Sequence, residues 1–129
     1  MRAALRLGTA GCLALTGYLH AELYVHGYRV IRVIGPSFLL LSAGAFALAV
    51  LLLVAMAVPE PPLLWLAVAG VAAGALAGFV LSRTVGLFGF VERGLQPAPQ
   101  ALLSILAETA ILLLAGVGAL VRRRRAAPA

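Results

Sequence analysis

Apolar residues run along this chain in four long blocks, parted by short polar or proline-rich breaks. The blocks cover about residues 3–24, 37–58, 63–83 and 100–121. A helix rises ~1.5 Å per residue, so ~20 apolar residues cross a hydrocarbon core of ~30 Å. Each block reaches that length. The pattern predicts an all-α fold, a bundle of four transmembrane helices.

The breaks support this division. Between the first two blocks lies a connector, Val25 to Gly35, that holds His26, Tyr28, Arg29 and Arg32, and Pro36 then suits the first turn of a helix. Pro59-Glu60-Pro61-Pro62 cannot continue a helix and predicts a tight hairpin. Trp65 follows it and reads as an interfacial anchor. Residues 84–95 are apolar but broken by glycine, which predicts a short loop or helix resting at the membrane interface. The domain reading is one four-helix unit over residues 1–121 and a basic cytoplasmic tail over 122–129.

Composition sharpens the picture. Hydrophobic residues make up 64% of the 129 and charged residues 11%, with a mean hydropathy of +1.10. The net charge is +6, and every cation is Arg. Four of the ten arginines, Arg122, Arg123, Arg124 and Arg125, directly follow the last block, where a cytoplasmic anchor belongs. No basic, aromatic-studded surface exists for a nucleic acid, so the expected partner is the lipid bilayer. The single cysteine, Cys12, excludes an internal disulfide and lies within the first block.

Four spans put both termini on one side. The termini and the proline hairpin carry Arg2, Arg6 and the tail, against Arg29, Arg32, Arg83 and Arg93 on the two longer connectors. The balance of positive charge predicts a multi-pass protein of the bacterial inner membrane with both termini cytoplasmic.

Packing between helices in lipid relies on small residues. Gly70, Gly74 and Gly78 recur every four residues and read as a helix-packing groove, within one subunit in preference to a dimer seam. Ionisable residues in a span are costly and face the protein interior. His20, Glu22, His26, Arg29, Arg83, Glu92 and Glu108 all fall toward one membrane face. Glu108 sits roughly 10 Å into the last span by helix rise. It needs a partner or a proton, with Arg83 the first candidate partner and His20 the second. The pair is either a structural ion pair or the lining of a polar pocket. His20, Glu22 and His26 are the candidate metal ligands, but at ~100° per residue only Glu22 and His26 share a helix face, and a helix end between them is needed to bring all three together. No metal or cofactor is expected.

Two stretches carry a resemblance: His20 through Arg29 running into Ile34-Gly35-Pro36, and Ser82 through Glu92 followed by Leu102 through Glu108. Together they resemble small four-span membrane proteins of actinobacteria that carry no assigned activity. Such proteins often have a proline where Phe88 stands and more acids near Glu92. The resemblance implies that Arg83 and Glu108 belong to a shared design, and it supplies no substrate.

No nucleophile with a base, phosphate loop or active cysteine stands out, so an enzyme is not expected. The leading expectation is a non-enzymatic structural or accessory membrane protein that meets a neighbour or a second copy of itself. The alternative is a small transporter or ligand-binding protein with an outward-facing pocket around Glu108, Arg83 and His20.

Overall fold

A computed structural model of the chain describes residues 2–57 and 61–126, with side chains described as far as Arg123. It is all-helical. Four long helices, α1 (Arg2–Val25), α2 (Ile34–Val54), α3 (Pro62–Arg83) and α4 (Gln100–Ala126), run in sequence, with a single 3-10 turn at Tyr28–Val30 between the first two. α2, α3 and α4 are each long and apolar enough to cross a membrane. α1 has the length but is not among these, since Arg6, His20 and Glu22 dilute its apolar run.

The helix ends differ from the pattern in instructive ways. α2 begins three residues early, so Pro36 sits in its first turn, where its missing N–H costs no helical bond. α2 ends at Val54, followed by turns through Ala57. The predicted end at Val58, with Pro59 and Glu60 of the hairpin, lies outside the described residues. Pro62 opens α3 as its first helical residue, with its φ already helical. α4 continues past Val121 through the arginine run to Ala126.

Neighbours in sequence are neighbours in space, each antiparallel to the next, and α4 closes the ring against α1. Gly17 lies against Phe46 and Gly8 against Leu114, which sets α1 between α2 and α4. The Ser42 hydroxyl donates to the Gly17 carbonyl at 2.8 Å, and Arg6 donates to Ala55 O at 2.6 Å, satisfying an end carbonyl of α2. α2 and α3 make the slightest contact of the four helix pairs.

The interior is built of small residues. Ala45, Ala49, Ala72, Ala107 and Ala115 are buried with Leu13, Leu52, Val68 and Ile111. Large side chains such as Leu40, Leu63, Leu66 and Leu113 point outward, Leu40 being 77% exposed. In water that arrangement wastes apolar area. In lipid it is expected, because close backbone packing holds the helices together. The three apolar helices and this outward oil fit an integral membrane protein.

Trp65 corrects its expectation as an interfacial anchor. It is 5% exposed and part of the core, with its ring against Gly118 and the Arg122 guanidinium 5.4 Å from the ring centroid. Residues 84–95 form a loop, with no helix. Leu87 and Phe90 exchange backbone bonds at 2.9 Å around a tight turn with Phe88 and Gly89 at φ 52° and 82°. Val85, Phe88 and Val91 project from it, exposed.

Candidate functional site

The 3-10 turn and the start of α2 form the outer wall of the site. Ile34 N donates to Arg32 O at 2.7 Å, a γ-turn that forces Val33 to φ 66°. Gly35 then passes under the turn so closely that a Cβ there would lie 2.7 Å from Tyr28 O and 2.8 Å from Arg29 O. This fit aims Tyr28 inward. Its ring stacks on Phe38 at 4.7 Å and meets Phe90 edge-on at 5.7 Å.

Across from Tyr28 the chain leaving α3 doubles back. Glu92 N donates to Ser82 O at 2.9 Å, which brings the Glu92 carboxylate beside the end of the helix. There it accepts from the Tyr28 hydroxyl on Oε1 and from Arg83 Nη2 on Oε2, the latter at 3.0 Å. Arg83 is held on every side. Nε donates to Gly94 O at 2.7 Å, Nη1 to Ser82 Oγ at 2.8 Å and to Phe79 O at 3.4 Å, and Nη2 to Gln96 O as well as to Glu92. The guanidinium also lies 3.6 Å from the Phe79 ring centroid. All five N–H donors of an arginine are thereby engaged. Burial, then the bond to Glu92 and its charge, push the Tyr28 phenol above its ordinary range, so it stays a donor.

Arg83 therefore pairs with Glu92, and not with Glu108 as first expected from sequence. The reason lies in the loop, whose return to Ser82 delivers a nearer carboxylate. Glu108 lies inside the bundle, 1% exposed, and its Oε1 has no hydrogen-bond partner. Ser104, one turn earlier on the same face of α4, is 8% exposed with its Oγ likewise unpartnered.

Both face a cavity of about 340 Å³. His20 from α1, Phe38 and Leu41 from α2, and Gly74 and Gly78 from α3 form other parts of its wall, while Tyr28, Arg83 and Glu92 line it at the connector end. His20 is buried, with Nδ1 2.9 Å from Thr16 O. A carbonyl only accepts, so Nδ1 donates.

The glycine row has a different consequence from a packing groove. A Cβ at Gly70 or Gly74 would meet no heavy atom within 4 Å, and one at Gly78 would only touch Leu87 at 4.0 Å. Gly74 and Gly78 lie on the cavity wall, where their missing side chains leave room, whereas Gly70 is exposed and stands outside it. Glu22 and His26 stand apart from the cavity. Glu22 accepts from Gln100 Nε2 at 3.4 Å, and exposed His26 donates from Nδ1 to Glu22 O at 2.8 Å. Among the described residues, no three of His, Cys, Asp and Glu come together as metal ligands do. Arg122 and Arg123 lie at the opposite end of the bundle from the site, and the side chains of Arg124 and Arg125 lie outside the described residues.

Sequence reasoning gathered His20, Glu22, His26, Arg29, Arg83, Glu92 and Glu108 at one end; His20, Arg83, Glu92 and Glu108 line the cavity, and Glu22, His26 and Arg29 do not. It missed the parts played by Ser82 and Ser104 and took Tyr28 only as a residue of the connector. The spacing Ala101, Ser104, Glu108, with each position on one helical face, was the available signal for Ser104. Comparisons of the chain with protein-family models, curated proteins and solved structures return no match.

Proposed function

We propose that this chain is a non-enzymatic, four-span protein of a bacterial inner membrane that binds a small, largely apolar ligand in the cavity beneath Tyr28, Glu92 and Arg83. Glu108 carries the reading. Buried polar groups nearly always have hydrogen-bond partners, and here a residue with an orphaned carboxyl oxygen forms part of the wall of a space of about 340 Å³. Ligand pockets combine apolar walls with a few convergent polar groups and lie between the helices of bundles. This one has Glu108, Ser104 and His20 on walls of leucine, phenylalanine, alanine and glycine.

The reading of α1 as a fourth span draws on its length of 24 residues and its place alongside α2 and α4. The arginine balance favours cytoplasmic termini, which turns the cavity end outward. Membership among small four-span proteins of actinobacteria belongs to the same proposal. A fluorescent protein that folds only in the cytoplasm, fused after Ala129, reports the side of the tail. A dark fusion at full expression overturns the orientation.

The pocket is tested with a thiol at Ala101, a buried residue of its wall, in a Cys12→Ala background. Ala101→Cys should react with methyl methanethiosulfonate in purified, lipid-embedded protein. Ala115→Cys, in the closed core, should not. Equal inertness of both thiols overturns the pocket.

A second reading, a structural or accessory subunit that packs on a neighbour or a second copy, draws on the open space beside Gly70 and Gly74. A partner that co-purifies and is released by Gly70→Leu would favour it.

A further inference from the structure

We infer that the ligand is an organic cation, a protonated amine on an apolar body, whose ammonium sits against Glu108. The inference rests on the pocket reading and names its chemistry. Glu108 Oε1 and Ser104 Oγ are buried and unpartnered, and both residues belong to the cavity wall. His20 has committed Nδ1 to Thr16 O, so its neutral ring offers only Nε2, an acceptor. Glu108 has no counter-charge among the described residues, so burial favours its neutral form until a cation arrives; ionised against that cation it is acceptor-only. The polar equipment of the cavity is thus chiefly acceptors, with Ser104 able to play either part. The occupant that matches it is a donor.

Charge points the same way. Arg83 is the arginine on the cavity wall, and its five N–H groups are spent on Gly94, Ser82, Phe79, Glu92 and Gln96. It has no donor left for an anion or for Glu108. Both oxygens of Glu92 are used as well. Among the carboxylates and the arginine of the cavity wall, Glu108 is therefore the group whose bonding is incomplete. A neutral hydroxyl could satisfy its lone pair but gives the carboxylate form no counter-charge. An ammonium supplies both the hydrogen bond and the counter-charge. The hydrocarbon part of the ligand meets Leu41, Phe38 and the bare Gly74–Gly78 face, which favour an apolar chain or ring.

The experiment uses the full chain in lipid nanodiscs with Cys12→Ala and Ala101→Cys, and three probes of matched shape. These are 4-phenylbutylamine, 4-phenylbutanol and 4-phenylbutyrate. Each is scored by the concentration that halves methyl methanethiosulfonate labelling of the thiol at position 101. The amine should protect at a concentration at least about tenfold lower than the alcohol, because a charged hydrogen bond exceeds a neutral one by that margin or more. The butyrate should protect least. Glu108→Gln should erase the advantage of the amine and spare the alcohol. If the thiol labels but the amine protects no better than the alcohol, or does not protect, the cation inference fails and the pocket stands. If the thiol never labels, the pocket itself fails. The amine-to-alcohol ratio is decisive with Glu108 intact, so a Glu108→Gln variant that did not fold would not blunt the test.

Discussion

Adding one methyl group at Gly35 should unseat the turn that closes the site. Gly35 is the second residue of α2 and is buried under the 3-10 turn. A Cβ built there lies 2.7 Å from Tyr28 O, 2.8 Å from Arg29 O and 3.0 Å from Arg29 C. Even weak C–H···O contacts rest at about 3.3–3.6 Å. The colliding atoms are backbone, so no side chain can rotate away. Relief requires moving a turn that is held by Ile31 N to Tyr28 O at 3.0 Å and Gly35 N to Ile31 O at 2.9 Å. Overpacking of this kind costs about 1–3 kcal/mol. Alanine in place of glycine in a helix returns about 0.5–1 kcal/mol. Gly44→Ala isolates the second effect, because nothing lies within 4 Å of a Cβ at that position of the same helix. Gly44→Ala should therefore raise stability slightly, and Gly35→Ala should fall below it by the clash alone, about 1–3 kcal/mol. Equilibrium unfolding in mixed dodecylmaltoside–SDS micelles, followed by circular dichroism, measures both. In the background carrying Ala101→Cys, Gly35→Ala should also hasten labelling, since Tyr28 moves with the turn. Equal stability of the two alanine variants would refute the reasoning, because it would mean that the turn does not rest on α2.

Three further outcomes follow from the same contacts. In a double-mutant cycle of Arg83→Gln and Glu92→Gln, the coupling should be about 1–3 kcal/mol, since the pair meets at 3.0 Å with side chains only 12% and 20% exposed; a coupling near zero would make the contact incidental. Tyr28 should add a pH-dependent contribution to stability. Its phenol is raised above the unfolded value of about 10, so the stabilisation is whole below about pH 10 and is lost as pH rises through the higher folded value. Tyr28→Phe should flatten that alkaline decline, and absorbance at 295 nm should show one phenolate fewer only above the unfolding pH. Trp65→Ala should cost about 3–5 kcal/mol, as for a core aromatic, and a loss below about 1 kcal/mol in the same unfolding assay would return Trp65 to the role of a surface anchor.

The helices were legible because lipid imposes a length and a composition that few other structures share. Uninterrupted apolar runs placed α2, α3 and α4, and the prolines at 61–62 marked the start of α3, while Pro36 fell inside the first turn of α2 and did not mark its boundary. α1 was harder: its apolar stripe carries His20 and Glu22, and it is not among the helices apolar enough to cross a membrane. The clustering of charges at one end was legible too, because position along a span maps onto depth.

Partner choice among those charges was a different matter. Glu92 and Glu108 were both within plausible reach of Arg83 in sequence. The return of the loop to Ser82 O awarded Arg83 to Glu92 and left Glu108 Oε1 alone. The glycines of α3 posed the same ambiguity. A row at every fourth position states that one face is bare, but not whether a neighbour closes on it. Here Gly74 and Gly78 become part of the cavity wall, and Gly70 stands outside it. Sequence determined which residues are oily, small or charged, because those are properties of single side chains and of helical period. Tertiary structure alone decided which polar atoms were spent and which were spare, because hydrogen bonds are short and directional and a shift of one loop reassigns them.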